Sequence, residues 1–276
     1  MQSRKSRVKS VAPDSLVFSR DELERIRCQT TVAQLVYEEE MPSTNDRALK
    51  LAGEASTKTP LLVLCDRQTA GRGRRSNRWW SAPGALTFSL IVDVDPITRD
   101  RNCISLTSLI AALSVVETLR TLAPEQRFGL KWPNDVQIGG RKVAGILVET
   151  IAKPRRRAIL GVGINVNNSL REAPLELRDS AASLIDVLSG SRDRTALLMA
   201  LLQRLQENMQ QFAAGNLDLV GRWQSSCVLT GERIRVHTPA ESIAGICHGI
   251  NAQGMLLVAT PSEVRAVASA TVEKVG

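Results

Sequence analysis

Four arginines stand among two glycines and a tryptophan pair in the segment AGRGRRSNRWWS, residues 70–81; they are Arg72, Arg74, Arg75 and Arg78. Glycine allows the backbone to approach a ligand closely and to present its N–H groups. Arginine holds carboxylate or phosphate oxygens in a bidentate geometry and stays charged at any working pH. We therefore interpret this segment, the arginine loop, as a flexible loop that becomes ordered around an anion. An exposed basic loop without a ligand, or a nucleic-acid arm, is the alternative.

Three later segments strengthen the first interpretation. KWPNDV follows a predicted strand and interrupts it with Pro133 and an Asn-Asp turn, so Lys131 stands at a strand end where its charge can enter a pocket. The two other segments, GGRKVAGILVE and GVGINVN, supply Lys142, Gly145, Gly161, Gly163 and Asn165. Each segment alone is also explained by a hairpin turn or a tight strand crossing. Together, and in this order, they indicate one anion-binding site.

The hydrophobic pattern predicts the elements that position these residues. We expect helices that start after Ser19, run from Ser43 or Thr44 to about Gly53, and cover residues 103–122 and 195–212. Strands are predicted at QLVYEEEM, at LLVLCDRQ and ALTFSLIV on either side of the arginine loop, and within residues 128–150 and 156–168. Short strands after residue 228 predict a small β-barrel. The predicted division is a disordered basic arm (1–19), a larger domain (20–225) and the barrel (226–276).

Composition narrows the class of protein. The 276 residues are 43% hydrophobic and 23% charged, as in ordinary globular proteins. The five cysteines are scattered and the two histidines lie outside any metal-ligand spacing, so we expect reduced thiols and no structural zinc. The apolar runs are too short for a membrane span and no secretory signal precedes them, so we expect a cytoplasmic protein.

The net charge of +8 raises the question of a nucleic-acid partner. Four of the excess charges lie in the N-terminal arm, at Arg4, Lys5, Arg7 and Lys9. We interpret another cluster, residues 155–157, as a solvated turn between two strands. This distribution gives little support to a nucleic-acid surface.

The motifs together resemble the biotin–protein ligases. The matching segments are STND (residues 43–46), QTAGRGRRSNRWWS (68–81), KWPNDV, RKVAGILVE and GVGINVN, and the resemblance extends from Val36 to the C-terminal segments LTGERIRV and GICHGINAQGMLLV. It implies an α+β fold of the class II synthetase-like type, with a mixed sheet flanked by helices and a C-terminal SH3-like barrel. The related lipoate ligases share the fold but carry a different arginine–glycine motif.

The resemblance also implies a reaction. A biotin–[acetyl-CoA-carboxylase] ligase uses ATP and Mg²⁺ to form biotinyl-5′-AMP, and then transfers biotin to a lysine of a biotin carboxyl carrier protein. By resemblance, the residues on the biotin side are Ser43, Thr44, Asn45, Gln68, Arg72, Gly73, Arg74 and Lys131. Those on the ATP side are Trp79, close to the adenine, with Asn134, Lys142, Gly145 and Asn165. The ligands of the metal are not assigned.

Catalysis is assigned to Arg74, Lys131 and Asp135. We hypothesise that Asp135 positions or deprotonates the acceptor lysine; the alternative is a carboxylate that only shapes the Asn-Asp turn. Ser76 and Asn77 replace a glycine that many family members have after the paired arginines, which predicts a slightly stiffer loop.

The resemblance bears on partners as well. About 35 residues precede the predicted catalytic domain, too few for the DNA-binding domain of some bacterial members, so we expect a monofunctional enzyme without a DNA partner. Relatives can form homodimers by pairing their central sheets edge to edge, and the oligomeric state of this chain is left open. The competing class, a basic nucleic-acid-binding module without enzymatic activity, leaves Gln68 and the KWPNDV and GVGIN segments unexplained.

Overall fold

A mixed sheet of seven strands forms the centre of the larger domain in the computed structural model, which describes residues 16–94, 103–153 and 156–275. The strand order is β1-β2-β3-β7-β6-β5-β4; β1 runs parallel to β2 and every other pair is antiparallel. The strands are β1 Gln34–Met41, β2 Leu61–Gln68, β3 Leu86–Asp93, β4 Phe128–Lys131, β5 Asp135–Ile138, β6 Arg141–Ile151 and β7 Arg157–Ile164.

Helices cover both faces of this sheet. They are α1 Arg20–Gln29, α2 Thr44–Ala52, α3 Cys103–Leu122, α4 Leu175–Arg178, α5 Leu184–Leu188, α6 Arg194–Ala213 and α7 Leu219–Gln224, with a 3₁₀ turn at Leu170–Glu172. α3 packs on one face and is itself covered by α6, whereas α2 packs on the other face against β2, β3 and β7. Because successive strand residues point to opposite faces, alternate residues of β2 join two separate cores. This explains why LLVLC is continuously apolar.

The predicted elements agree closely with this architecture. β1, β2 and α3 have the predicted bounds, and Ser19 and Ser43 are the N-caps of α1 and α2. The short helices α4, α5 and α7 were not predicted, because each is too short to show a hydrophobic period. Most of the predicted basic arm lies outside the described residues. Its end at residues 16–19 belongs to the fold, since Phe18 is buried and Ser19 caps α1.

Helix α3 corrects the expectation that the apolar runs of the chain are too short for a membrane span. Its window Ser105–Leu122 is long and apolar enough for a membrane span by length and composition alone. Most of that window is buried inside the fold, between the central sheet and α6. The composition of α3 is therefore that of a core helix.

A second, five-stranded antiparallel sheet follows, with the order β11-β10-β9-β8-β12. The strands of this C-terminal sheet are β8 Arg233–His237, β9 Ser242–Ile250, β10 Leu256–Ala259, β11 Val264–Val267 and β12 Thr271–Lys274. The connecting segment pairs with β4, because Leu130 N donates to Ser226 O at 2.8 Å and Val228 N donates to Leu130 O at 2.9 Å. One hydrophobic cluster extends from α3 into the C-terminal sheet. The predicted α+β class is confirmed.

Arg157 contradicts the expectation of a solvated turn at residues 155–157. Its side chain is 1% exposed and it begins β7. The guanidinium donates to Ala52 O at 2.7 Å, Glu54 O at 3.0 Å and Thr57 O at 2.8 Å, and Nε donates to Asp93 Oδ1 at 3.0 Å. Helix C-termini leave carbonyl groups without intrahelical partners. Arg157 therefore satisfies the end of α2 and the turn after it, and so fixes the helix that carries the STND segment.

Replacing Arg157 with methionine tests this role. The variant leaves buried carbonyl oxygens without donors, so we expect the free energy of unfolding to fall by about 3 kcal/mol in urea denaturation. Arg141→Met is the matched control, because Arg141 is exposed at the start of β6, and its effect should stay within about 0.5 kcal/mol. Equal effects of the two substitutions would contradict the capping role of Arg157.

Candidate active site

The predicted site residues converge on one cavity of ≈ 180 Å³ on the α2 side of the central sheet. The arginine loop forms one wall, the hairpin between β4 and β5 forms a second, and residues 270–272 of the C-terminal sheet form a third. The predicted residues that line it are Ser43, Thr44, Asn45, Gln68, Arg72, Gly73, Arg74, Trp79, Lys131, Asn134, Asp135, Lys142 and Gly145. Residues from distant parts of the sequence thus share one cleft.

Glycines in β6 and β7 form the floor of the cavity. Thr87, Gly163, Gly145 and Asp135 are successive partners across β3, β7, β6 and β5. A Cβ atom on Gly163 would lie 2.6 Å from Cζ2 of the Trp79 indole, and one on Gly145 would lie 2.9 Å from Cε of Lys142. Any larger residue would therefore displace the side chains that occupy the cleft.

A buried polar network occupies the inner end of the cavity. Gln68 Oε1 accepts hydrogen bonds from Thr44 N at 2.7 Å and from Thr44 Oγ1 at 3.1 Å. Ser89 Oγ lies 2.8 Å from Thr44 Oγ1 and 2.6 Å from Asn45 Oδ1. A Cβ atom on Gly161 would collide with Asn45 Oδ1, so glycine makes room for this amide. The N-terminus of α2 is thereby joined to β2 and β3.

Sequence reasoning missed Ser89. The available signal was its position in ALTFSLIV, where a polar residue interrupts an otherwise apolar strand on the same face as Thr87. Ser89 is completely buried, so its hydroxyl needs the partners that it has in Thr44 and Asn45.

Arg72 contacts carboxylates. Its Nη1 donates to Asp46 Oδ1 at 2.6 Å, and its Nη2 donates to Glu149 Oε1 at 2.8 Å. The hydrogen bond to Glu149 is the largest cause of a raised pKa for the Arg72 guanidinium. The expectation that Arg72 binds a ligand anion stays a prediction; in this structure two acidic residues hold its guanidinium.

Arg74 has a different environment. Its Nη2 donates to Ser269 Oγ at 3.1 Å and its Nη1 donates to Asn134 Oδ1 at 3.4 Å, both neutral groups. Burial lowers the pKa of Arg74, and the neighbouring charge of Arg75 lowers it further, against an opposite effect from Asp135. Within the described residues, no carboxylate lies within 4.0 Å of a cationic nitrogen of Arg74 or of Lys131. Arg75 and Arg78 line the same cavity and, among the described residues, likewise have no carboxylate within that distance.

The C-terminal sheet completes the cleft. Arg75, at φ 58°, turns the loop so that its Nη1 donates to Thr271 Oγ1 at 2.9 Å. Trp132 Nε1 donates to Gly254 O at 3.1 Å and holds the β4–β5 hairpin against the same sheet. The contribution of the C-terminal sheet to the cavity was not predicted from sequence, because serine and threonine near the end of a chain carry no specific pattern.

The remaining side of the cleft is formed by Trp79, Asp135 and Lys142. Lys142 Nζ lies 2.7 Å from Asp135 Oδ1 and 5.8 Å from the centroid of the Trp79 ring. Trp79 Nε1 is buried without a hydrogen-bond partner, which is unusual for an indole N–H. A bound ligand with an acceptor atom at this position would satisfy it.

Asn165 is the predicted site residue that does not line the cavity. Its Nδ2 donates to Ala182 O at 3.0 Å, and its Oδ1 accepts from Asn168 Nδ2 at 3.0 Å. Both ends of the amide are used within the loop after β7, so this side chain shapes the loop. The expectation that Asn165 contacts the nucleotide stays a prediction, and in this structure its side chain is not among the residues that line the cavity.

The described residues contain no group of three or more His, Cys, Asp or Glu side chains suited to hold a metal ion. A carboxylate of the cleft, Asp135, is already paired with Lys142. The cleft therefore offers cations and amides to a ligand, with few protein oxygens for a resident ion.

Comparison with known proteins identifies the family of the chain. Residues 37–166 match the Biotin/lipoate A/B protein ligase family, and residues 229–275 match the Biotin protein ligase C terminal domain. The chain is 34% identical over 217 residues to the biotin--[acetyl-CoA-carboxylase] ligase of Mycobacterium tuberculosis, covering 78% of this chain and 79% of that protein. It is 33% identical over 244 residues to the bifunctional ligase/repressor BirA of Bacillus subtilis, covering 87% of this chain and 73% of that protein.

A solved structure shows the same fold. The biotin protein ligase of Aquifex aeolicus in complex with biotin and ATP superposes with a TM-score of 0.77 at 31% identity, and the match covers 88% of this chain and 100% of that chain.

The glycine floor leads to a prediction about the arginine loop. Gly163→Ala would displace the Trp79 indole, so we expect trypsin to cut within residues 72–78 about tenfold faster, since cleavage follows the population of the open loop. Tryptophan emission should shift to longer wavelength at the same time. Gly53→Ala is the control, because a Cβ there meets its nearest atom at 3.4 Å, outside the cleft. If Gly163→Ala behaved like this control, packing of Trp79 on Gly163 would not hold the loop.

Proposed function

This chain belongs to the biotin protein ligase family, and on that premise we propose how its cleft performs the two half-reactions of biotin transfer. The resemblance predicted from the motifs is confirmed, and the chain is a ligase that acts on biotin. The observation that carries the proposal is the pair Arg74 and Lys131, two cations without a close carboxylate beside a buried network of hydrogen-bonding groups. Such a cleft suits a ligand with a polar head and an anionic tail that must meet a second anion.

We infer that the head group of biotin lies against α2. Its ureido ring offers two N–H donors and a carbonyl acceptor, which match the hydroxyl and amide groups of Ser43, Thr44, Asn45 and Gln68. A site built to hydrogen-bond a substrate discriminates strongly against analogues that leave its polar groups unpaired. The dithiolane ring of lipoate has no such groups, so the lipoate ligase alternative fits this network poorly.

The first step joins two anions. A carboxylate oxygen of biotin attacks the α-phosphorus of ATP, a new O–P bond forms, and the bond to the β-phosphate oxygen breaks to release pyrophosphate. A carboxylate with a pKa of about 4.3 is already ionised, so no side chain has to remove a proton. Arg74 and Lys131 offset the repulsion between carboxylate and phosphate, and the partial burial of Arg74 strengthens its effect.

We propose that Trp79, Asn134, Lys142 and Gly145 border the nucleotide. Lys142 brings a positive charge to this side, and Asp135 holds it in place. Asn165 would act on this side only through the loop after β7. The buried N–H of Trp79 is then available to an oxygen or nitrogen of the ligand.

The cleft fits Mg²⁺ that arrives with the nucleotide. Mg²⁺ keeps several waters and commonly binds through one or two carboxylates together with substrate phosphates, so the absence of a carboxylate cluster in the described residues is no obstacle. Asp135 and Asn134 are the oxygen-bearing side chains that would reach it. When bound, the ion neutralises charge on the phosphate oxygens.

In the second step an acceptor lysine, as its neutral amine, attacks the carbonyl carbon of biotinyl-AMP; an amide bond forms, the bond between that carbon and the phosphate oxygen breaks to release AMP, and the proton of the amine passes to solvent. We propose the biotin carboxyl carrier domain of a carboxylase as the acceptor, as the family implies. A carboxylate is in general a far weaker base than the amine of a lysine, whose ammonium has a pKa of about 10.4, and Asp135 already contacts Lys142 at 2.7 Å. Of the two hypothesised roles, positioning of the incoming lysine is the better supported. The cytoplasmic location and the lack of a DNA partner stay predictions from the sequence, and a homodimer stays an open alternative.

Lys131→Met tests the first step. The substitution keeps the length of the side chain and removes its charge, so the single-turnover rate of biotinyl-AMP formation from biotin, Mg²⁺ and α-labelled ATP should fall about 100-fold. Lys50→Met, at an exposed position of α2, should leave the rate unchanged. Adenylate formed with lipoate but not with biotin by the unsubstituted protein would move the assignment to the sister activity. Adenylate with neither acid would reopen the nucleic-acid alternative.

Asp135→Asn separates the two steps. We expect transfer of biotin from preformed biotinyl-AMP to a carrier domain to slow about tenfold or more, because the amide orients an ammonium less strongly than a carboxylate. Adenylation should change less, and the ratio of the two single-turnover rates is the measurement. Unchanged transfer would leave Asp135 with a role in the turn and in holding Lys142.

A further inference from the structure

We propose that Glu149 is a positioning residue that joins the biotin head-group pocket to the arginine loop, and that Arg72 is the anchor of the loop at this carboxylate. The inference rests on the proposed function, since it names the residue through which the two ends of the same cleft communicate.

Glu149 contacts both parts of the cleft at once. Its Oε2 accepts from Asn45 Nδ2 at 2.9 Å and from Arg72 Nη1 at 3.1 Å. Its Oε1 accepts from Arg72 Nη2 at 2.8 Å, which completes a bidentate pair. Asn45 belongs to α2, Arg72 to the loop and Glu149 to β6, so one carboxylate connects three elements.

The charges around Arg72 define its role. Asp46 and Glu149 together bring two negative charges against one positive charge, with Asp46 Oδ1 at 2.6 Å and Glu149 Oε1 at 2.8 Å. A substrate carboxylate or phosphate close to this guanidinium would also meet both acids and be repelled. The side chain of Arg72 is therefore suited to hold the loop, and neutralisation of the substrate anions is left to Arg74 and Lys131.

The contact with Asn45 has a second consequence. Glu149 is an acceptor only, so it fixes the amide with Nδ2 toward β6 and Oδ1 toward Ser89 and the cavity. An oxygen at this position is the partner that a ureido N–H requires. Glu149 thereby sets the donor and acceptor pattern offered to the head group, while it also holds Arg72.

Glu149→Gln is the first variant for the test. It keeps the shape of the side chain, but its NH₂ group opposes the donors of Arg72 and Asn45, so the bidentate contact is lost and the Asn45 amide is free to turn. We expect the KM for biotin to rise about tenfold and biotinyl-AMP to leave the enzyme about tenfold faster. The kcat of adenylation at saturating biotin and ATP should stay within about threefold, because Arg74 and Lys131 are untouched.

Arg72→Met is the second variant, and it removes only the loop side of the contact. Release of biotinyl-AMP should again be about tenfold faster, with a change in the KM for biotin of less than about threefold. The double variant should release the adenylate within about twofold of either single variant, since both break the same contact. Glu40→Gln is the matched control: Glu40 pairs with Arg67 at 2.9 Å on the exposed edge strand β1, away from the cleft, and should have no effect.

The outcomes separate the inference from the proposed function. If the unsubstituted protein forms no biotinyl-AMP, the proposed function fails, and this inference fails with it. If it does and Glu149→Gln retains biotinyl-AMP with an unchanged KM for biotin, the inference alone is overturned. A fall in kcat together with a lower melting temperature would also overturn the inference, because it would indicate a general structural role. So would a release rate in the double variant that equals the product of the two single effects, because the two side chains would then act independently.

Discussion

The cleft must hold several cations close together before any anion arrives, and this repulsion governs much of the arrangement around it. Two like charges 4 Å apart interact by about 4 kcal/mol at an effective dielectric of about 20. The cations of the cleft differ in their partners. Arg72 is held by two carboxylates and Lys142 by one. Arg74 and Lys131 have no close acid among the described residues. Burial, and after it the charge of Arg75, lowers the pKa of Arg74, so this guanidinium is both poorly solvated and repelled by a neighbour. An anion bound there relieves this repulsion.

Space for this arrangement comes from the central sheet. A seven-stranded sheet covered by helices on both faces normally fills each face with side chains, as β2 does. On the α2 side of β6 and β7, glycines at 145, 161 and 163 leave room for the Lys142, Asn45 and Trp79 side chains. Helix α2 is held at its N-terminus by the hydrogen bonds of Thr44 and at its C-terminus by Arg157, so the floor and the wall of the pocket are rigid relative to each other.

The local sequence pattern was sufficient to predict most of the helices and strands and most of the residues that line the cavity. QLVYEEEM, LLVLCDRQ and residues 103–122 gave correct bounds because periodicity and turn residues are local properties. Cavity-lining positions such as Gln68 and Lys131 were found through their motifs. Arg157 was misjudged because an arginine is defined by its partners, and the carbonyls at and after the end of α2 are not adjacent to it in sequence. The contacts of Arg72 with two acids and of Asn165 with Ala182 were not predicted for the same reason. Ser269 and Thr271 escaped notice because their importance depends entirely on where the C-terminal sheet packs.

The contacts between the arginine loop and the C-terminal sheet also bear on how the enzyme is made. Arg74 and its partner Ser269 are 195 residues apart in the chain, and Arg75 and Thr271 are 196 apart. A ribosome that adds roughly 5–20 residues per second needs about 10 to 40 s to cover that interval. During this time a nascent chain has synthesised its head-group pocket but has no support for its loop. A reactive mixed anhydride formed then would escape into solution, so the cleft retains its intermediate only after the last strands of the C-terminal sheet have been made.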